Sequence, residues 1–428
     1  MREASCSRPA WQGSNKFFMT QRIRVLTARW LAVCISMAAA VSLGMTRFAY
    51  ALLLPSMRED VAWTYTLAGS MNTFNAVGYL IGALITPRVL KRWGVVHVLI
   101  SGSFIASLLM ALTGFFSETP LLLIQRLLAG LVSAVVFVSG GLLAARLGAH
   151  LPSQSGLLLG LYYGGTGWGI VLSALLVPVA LLAAYEEALV HPWKWAWWVL
   201  ALACFTMTLA LLAIRKPMQH WTPERMPLEA NDAMLNHQVT QMHWPDWVFG
   251  LAGYGLFGVG YIGYMTFVVA VLCEQGASPT EITFFYALLG LAVVASSRIW
   301  AGMLNRYRDG QSLSILNALL SLATLIPAIT SSWPMMLVSG LLFGGVFLSV
   351  VASTTAMVKH NLAPSQWATG ISVFTVVFAV GQITGPAMVG WIADGPGGLK
   401  RGLLFSAAAL LIGAVLAWQQ KPVQQNGK

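Results

Sequence analysis

The stretch GMTRFAYALLLP, residues 44–55, places an arginine inside an apolar run, and what surrounds it decides the class of the chain. From Trp30 to Met57 the only charged side chain is Arg47, and that length suffices to cross a bilayer hydrocarbon core of about 30 Å. A cation at such depth costs roughly 2.5 to 3.5 kcal/mol even on the most lenient insertion scale, so its position alone makes Arg47 a functional candidate. Working outward, apolar stretches of spanning length recur near 30–54, 64–86, 95–116, 119–145, 154–183, 195–214, 246–272, 280–304, 311–330, 333–358, 366–392 and 402–418. They predict an all-α polytopic membrane protein of twelve helices.

Composition points the same way. Hydrophobic residues make up 57% of the 428 and charged residues 9%, with a mean hydropathy of +0.72, values foreign to a soluble domain. A net charge of +11 would suggest nucleic acid in a soluble protein, but sidedness explains it and no nucleic-acid partner is expected. With the amino terminus inside, eighteen of the twenty-five Lys and Arg fall in cytoplasmic segments, while Arg58, Lys194, Lys400 and Arg401 fall outside and Arg47, Arg126 and Arg298 lie within spans. Both termini are therefore expected in the cytoplasm.

Residues 1–29 read as a cytoplasmic tail without apolar periodicity, with Met19 an alternative start, and 419–428 as a second tail. A signal peptide is the rival reading of the first segment, but its basic region would be unusually long. Cys6, Cys34, Cys204 and Cys273 show neither CxxC nor metal-ligand spacing, so neither disulfide nor metal is expected, and no cofactor.

Residues 215–245 are polar and proline-containing, and read as a cytoplasmic linker between six-helix halves at 30–214 and 246–418. The halves share residues at nearly constant separation. LPSQ at 151–154 meets APSQ at 363–366, Gly130 meets Gly344, Arg92-Trp93 meets Arg306-Tyr307, and Gly44-x-x-Arg47-Phe48-Ala49-Tyr50 meets Gly258-x-x-Tyr261-Ile262-Gly263-Tyr264. These coincidences predict a duplicated six-helix unit and two pseudo-symmetric bundles.

Twelve spans, a duplicated half and a polar central loop resemble the major facilitator superfamily over most of residues 30–418, and that resemblance implies alternating access to a midplane site. Gln125-Arg126-Leu127-Leu128-Ala129-Gly130 resembles the family's fourth-helix RxxxG motif, and Gly381-Gln382-Ile383-Thr384-Gly385-Pro386 its glycine-proline helix motif. The loop after helix two departs from the pattern: GALITPRVLKRWG at 82–94 has no acid, and Asn305 stands at the equivalent place in Gly302-Met303-Leu304-Asn305-Arg306. The resemblance makes Arg88, Arg92, Asn305 and Arg306 the candidate gating residues of the cytoplasmic loops. More narrowly, GMTRFAYALLLP, RLLAGLVSA at 126–134 and GVGYIGYMTF at 258–267 resemble the bacterial YbfB/YjiJ group, which implies a bacterial inner membrane and a monomer.

Arg47 and Arg126 lie at similar depths, and by resemblance helices one and four line one cavity. All fourteen acids sit in loops, tails or helix ends. The arginines are thus expected to find partners in carbonyls, tyrosine hydroxyls, water or an anionic solute, and a guanidinium fork suits a carboxylate. The alternatives are snorkelling for Arg47 and Arg298 and helix bracing for Arg47 and Arg126. Tyr50, Tyr261 and Tyr264 are candidate hydroxyls or ring faces for the solute, with packing the plainer reading. Asn72, Asn75 and Gln382 are amides within spans, for which interhelical bonding is the plainer reading and substrate contact the sharper one for Asn75 and Gln382. Glycines 156, 160 and 164 predict a close-packing face on helix five, and Trp193, Trp195, Trp197 and Trp198 an interfacial belt.

The expected function is secondary active transport of a small organic anion, with protons or a counter-anion as the coupled species, since no core carboxylate or histidine is visible. Efflux of neutral or cationic amphiphiles and a transport-dead sensor are the alternatives. No HExxH or GxSxG appears, and no enzyme activity is expected.

Overall fold

A computed structural model describes residues 10–151, 154–221, 244–363 and 366–423. Cys6, most of the linker and part of the LPSQ and APSQ repeats lie outside the described residues. Among the described residues twelve helices are long and apolar enough to cross a membrane. They are α1 (Val25–Asp60), α2 (Tyr65–Trp93), α3 (Val95–Thr113), α4 (Thr119–His150), α5 (Ser155–Glu186), α6 (Pro192–Ala213), α7 (Pro245–Glu274), α8 (Pro279–Arg306), α9 (Gln311–Ile329), α10 (Trp333–Asn361), α11 (Thr369–Ala393) and α12 (Gly398–Trp418). No strand occurs among the described residues. In lipid each backbone polar group must be bonded within its own segment, which leaves a long apolar run little choice but helix.

Local chemistry sets the ends. The Thr64 side chain accepts from the Leu67 amide to start α2, Ser278 and Glu281 form a capping box at α8, and proline occupies the first turn of α4, α6 and α10. The helix containing α1 begins at Ala10, inside the segment expected to be an aperiodic tail.

The halves pack alike. α2 lies along α4 as α8 lies along α10, α1 along α5 as α7 along α11, and α3 along α6 as α9 along α12. The repeat extends to close backbone approaches: a Cβ on Gly130 would stand 2.0 Å from the Asn75 carbonyl oxygen, and one on Gly344 2.3 Å from that of Leu289. Between the halves α2 runs against α11 and α5 against α8. Two expectations are corrected here. On α5 a Cβ at Gly156 would meet nothing within 4 Å, whereas Gly165, Gly167 and Gly169 lie against the backbones of Ser36, Gly290 and Ala40. The glycine spacing alone did not show which stripe faces a neighbour. Trp193 and Trp197 are buried in protein rather than placed in a lipid belt, with the Trp193 indole donating to Asp60.

Hydrogen bonds between the halves cluster toward the end of the bundle opposite the chain termini, called the distal end below. Asp394, just beyond α11, accepts from the amides of Tyr65 at 2.7 Å and Thr66 at 2.9 Å and from the Thr66 hydroxyl at 2.6 Å. The Tyr65 hydroxyl donates to Glu274 at the end of α7. A carboxylate on the first turn of α2 satisfies amides that have no intrahelical acceptor. Burial pushes the Asp394 carboxyl up, but the bonds from Thr66 and Tyr65 outweigh it and hold it below the usual aspartate range. A lowered acid keeps its tie above the ordinary pKa of about 3.9 and loses it as pH falls through the lowered value. Spin labels on exposed Glu118 and Ser331, one on each half, should therefore keep their separation from neutral pH down to about pH 4 and move apart below it. Asp394→Ala should separate them already at neutral pH; an unchanged distance in that variant would show that the tie does not hold this end closed.

Candidate functional site

The quoted segment is where the first helix changes its winding. Ala40–Phe48 forms a nine-residue π-helix between α-helical flanks, and the Thr46 hydroxyl reaches the Val41 carbonyl at 2.7 Å, five residues back. Such segments alter which side chains share a face, and they concentrate at functional sites. A Cβ on Gly44 would stand 2.6 Å from the Gly169 Cα, so α1 and α5 touch backbone to backbone beside Arg47. Around this transition the Thr46 carbonyl accepts from Arg126 Nη1 at 2.9 Å and the Phe48 carbonyl from the Tyr286 hydroxyl at 2.7 Å.

Arg47 is buried, with only 4% of its surface exposed. Its guanidinium lies 5.4 Å from the Tyr79 ring and 5.9 Å from that of Phe48, distances at which the ring quadrupole attracts a cation. Tyr261 and Arg126 are within its electrostatic reach. Nε and Nη2 of Arg47 have no hydrogen-bond partner among the described residues. These two N–H groups form one edge of the planar guanidinium, the fork that receives both oxygens of a carboxylate. Snorkelling does not describe this burial.

Arg126 is equally buried and bonded quite differently. Nη1 donates to the Thr46 carbonyl and Nη2 to Asn72 Oδ1, each at 2.9 Å, and its cation sits 4.9 Å from the Tyr50 ring. Only Nε lacks a partner. Asn72 in turn donates to Thr266 of α7 at 2.8 Å, and Asn75 donates to the Arg126 carbonyl at 3.1 Å. Arg126 thus ties α4 to α1 and α2, and Asn72 carries the tie across to the other half.

The remaining candidates divide. Gln382 of α11 donates to the Tyr261 hydroxyl, and the Tyr261 ring stacks on Phe257 and Phe378 at 4.8 and 5.6 Å and faces Phe347 at 6.2 Å. That aromatic wall lies in the carboxy-terminal half, opposite the cations. Tyr50 points its hydroxyl to the Ala68 carbonyl, and Tyr264 is engaged by Ser339 at 2.7 Å and the Phe343 ring at 4.0 Å. Both are spent on packing, and Tyr264 is not brought to the arginines. Arg88, Arg92, Asn305 and Arg306 are exposed at the termini end, and Arg92 and Arg306 rest on their own neighbours Trp93 and Tyr307. Arg298 is exposed near the same end.

Sequence reasoning missed Tyr79, Thr266 and Tyr286. Tyr79 had a signal: Asn72, Asn75 and Tyr79 follow the i, i+3, i+7 spacing of one helical face. Thr266 and Tyr286 had none, since each acts across the interface between halves. Among the described residues no cluster of His, Cys, Asp or Glu could hold a metal.

A twelve-helix bundle of two like halves with a buried polar centre between them is the architecture of a membrane transporter. Solved structures share it. A bacterial homolog of the human lysosomal transporter Spinster, inward-facing and unoccupied, superposes with a TM-score of 0.66 at 14% identity, over 92% of this chain and 97% of that one. The nucleoside transporter NupG gives 0.65 at 13% identity, over 92% and 99%. Among curated proteins, a candidate transporter, AraJ of Escherichia coli (strain K12), is 23% identical over 300 residues, 66% of this chain and 68% of its own. A candidate tartrate transporter of Agrobacterium vitis is 29% identical over 147 residues, 34% of this chain and 33% of its own length. Residues 39–418 match the family described as "Uncharacterised MFS-type transporter YbfB", and the chain belongs to that family. It is a multi-pass membrane transporter of the major facilitator type.

Proposed function

We propose that the chain is a secondary active transporter that moves a small organic anion across a bacterial inner membrane by alternating access of halves 30–214 and 246–418. The observation that carries this reading is the Arg47 edge: two buried N–H groups without partners, on a cation that no described carboxylate pairs. A buried cation with unmet donors is costly, and a visiting carboxylate supplies both the charge and the acceptors. The candidate tartrate transporter, itself named for an organic anion, is in keeping with this class. Both termini lie in the cytoplasm on this reading, the distal end faces outward, and Arg88, Arg92, Asn305 and Arg306 line the cytoplasmic gate. The protein works as a monomer. Coupling is to a proton carried on the solute or to a counter-anion, because the groups that face Arg47 are aromatic rings and a second arginine.

The test is a thermal-shift screen of the purified protein against organic acids, amines and sugars, followed by counterflow in proteoliposomes. Acids should raise the unfolding midpoint and exchange across the vesicle. Stabilisation by amines alone would replace this reading with cation efflux, and binding without any exchange would replace it with a sensor.

A further inference from the structure

Resting on that reading, the two arginines say more about the solute than its sign. Arg47 offers one complete fork, Nε and Nη2, with nothing bonded to it. Arg126 offers only a contested one: Nη1 is held by the Thr46 carbonyl and Nη2 by Asn72, so a carboxylate reaching Nε and Nη2 would have to share that nitrogen with Asn72. Releasing Nη2 would also strand the Asn72 carbonyl oxygen in the protein interior and loosen a residue that is bonded to Thr266 in the other half. A second carboxylate at Arg126 would therefore compete with Asn72 for Nη2, and that buried bond is costly to leave unmade. The duplicated half supplies no alternative cation, because Tyr261 stands where Arg47 does in the repeat and Gly340, 214 residues beyond Arg126, stands in the other place. What that half presents instead is the stack of Phe257, Tyr261, Phe347 and Phe378.

We infer that the solute is a monocarboxylate with a planar or apolar body, gripped at its single carboxylate by Arg47, while Arg126 is a positioning residue withheld from the ligand by Asn72. The discrimination against a second carboxylate is then built into the Asn72–Arg126 bond. Cutting that bond should undo it.

Dissociation constants for benzoate, propionate, succinate and tartrate, with benzamide as the neutral control, test this in the purified protein. Benzoate and propionate should bind at least about tenfold more tightly than the two dicarboxylates, the size of one charge-assisted hydrogen bond, and benzamide should not bind. Asn72→Ala, which frees Nη2 of Arg126, should narrow that ratio by strengthening succinate and tartrate; a residue serving structure alone would weaken all four acids together. Thr266→Val, which removes the outer anchor of Asn72 without touching either arginine, is the companion variant and should narrow the ratio in the same direction. Dicarboxylates that bind the unaltered protein as tightly as benzoate, or a ratio unmoved in both variants, would overturn the inference and leave the anion reading standing. Failure of every acid to bind would overturn the anion reading itself.

Discussion

Arg47→Ala is expected to reduce solute flux by at least about a hundredfold, since two charge-assisted bonds of roughly 1.5 to 3 kcal/mol each are lost together. Arg47→Lys should retain a small fraction, because an ammonium keeps the charge but cannot present a planar fork. The same position makes an opposite prediction for stability. Nε and Nη2 are buried and unpartnered, so Arg47→Met removes a desolvated cation and fills its space with apolar volume. The unfolding midpoint of that variant should rise even though transport is gone, the pattern expected where a site is kept for function at the expense of the fold. Flux in proteoliposomes and a melting curve on the same preparation check both halves. A variant that transports normally, or melts well below the parent, would show Arg47 to be a brace.

The second large effect concerns the contact of α2 with α4 that sets the depth of Arg126. A Cβ on Gly130 would lie 2.0 Å from the Asn75 carbonyl oxygen, and one on Gly78 1.9 Å from that of Leu127. Real Cβ atoms do not come so near, and the obstacle in each case is backbone, which cannot swing aside. Gly130→Ala and Gly78→Ala should each cost about 1 to 3 kcal/mol or more by forcing the helices apart. Asn75 donates to the Arg126 carbonyl across this contact, so the survivors should also lose affinity for the solute. Gly156→Ala is the control, having open space around it. Equal melting points for all three would contradict the packing described.

Much of the architecture was legible from residues alone. The runs of apolar residues, broken by polar or proline-containing loops, give twelve spans because lipid admits few alternatives to helix, and the paired glycines at 130 and 344 betray the duplication because both are needed for the same backbone approach. The site was legible in part. Arg47 and Arg126 stand out as charges in apolar runs, but their hydrogen bonding is opposite, and nothing local distinguishes them. Each sits in a good helix-forming context, and what separates them is whether acceptors on other helices have reached the guanidinium.

The chain by itself therefore determined membrane class, helix number, duplication and the presence of two cations without matching acids, all of which follow from hydropathy and charge inventory. Only the tertiary structure decided that Ala40–Phe48 winds as a π-helix, that Asn72 and Thr46 occupy Arg126, and that the Arg47 edge is buried without a partner. The reason is geometric. Hydrogen bonds form over about 3 Å, and residues 46, 72, 126 and 266 come within that distance only when four helices from two halves have packed.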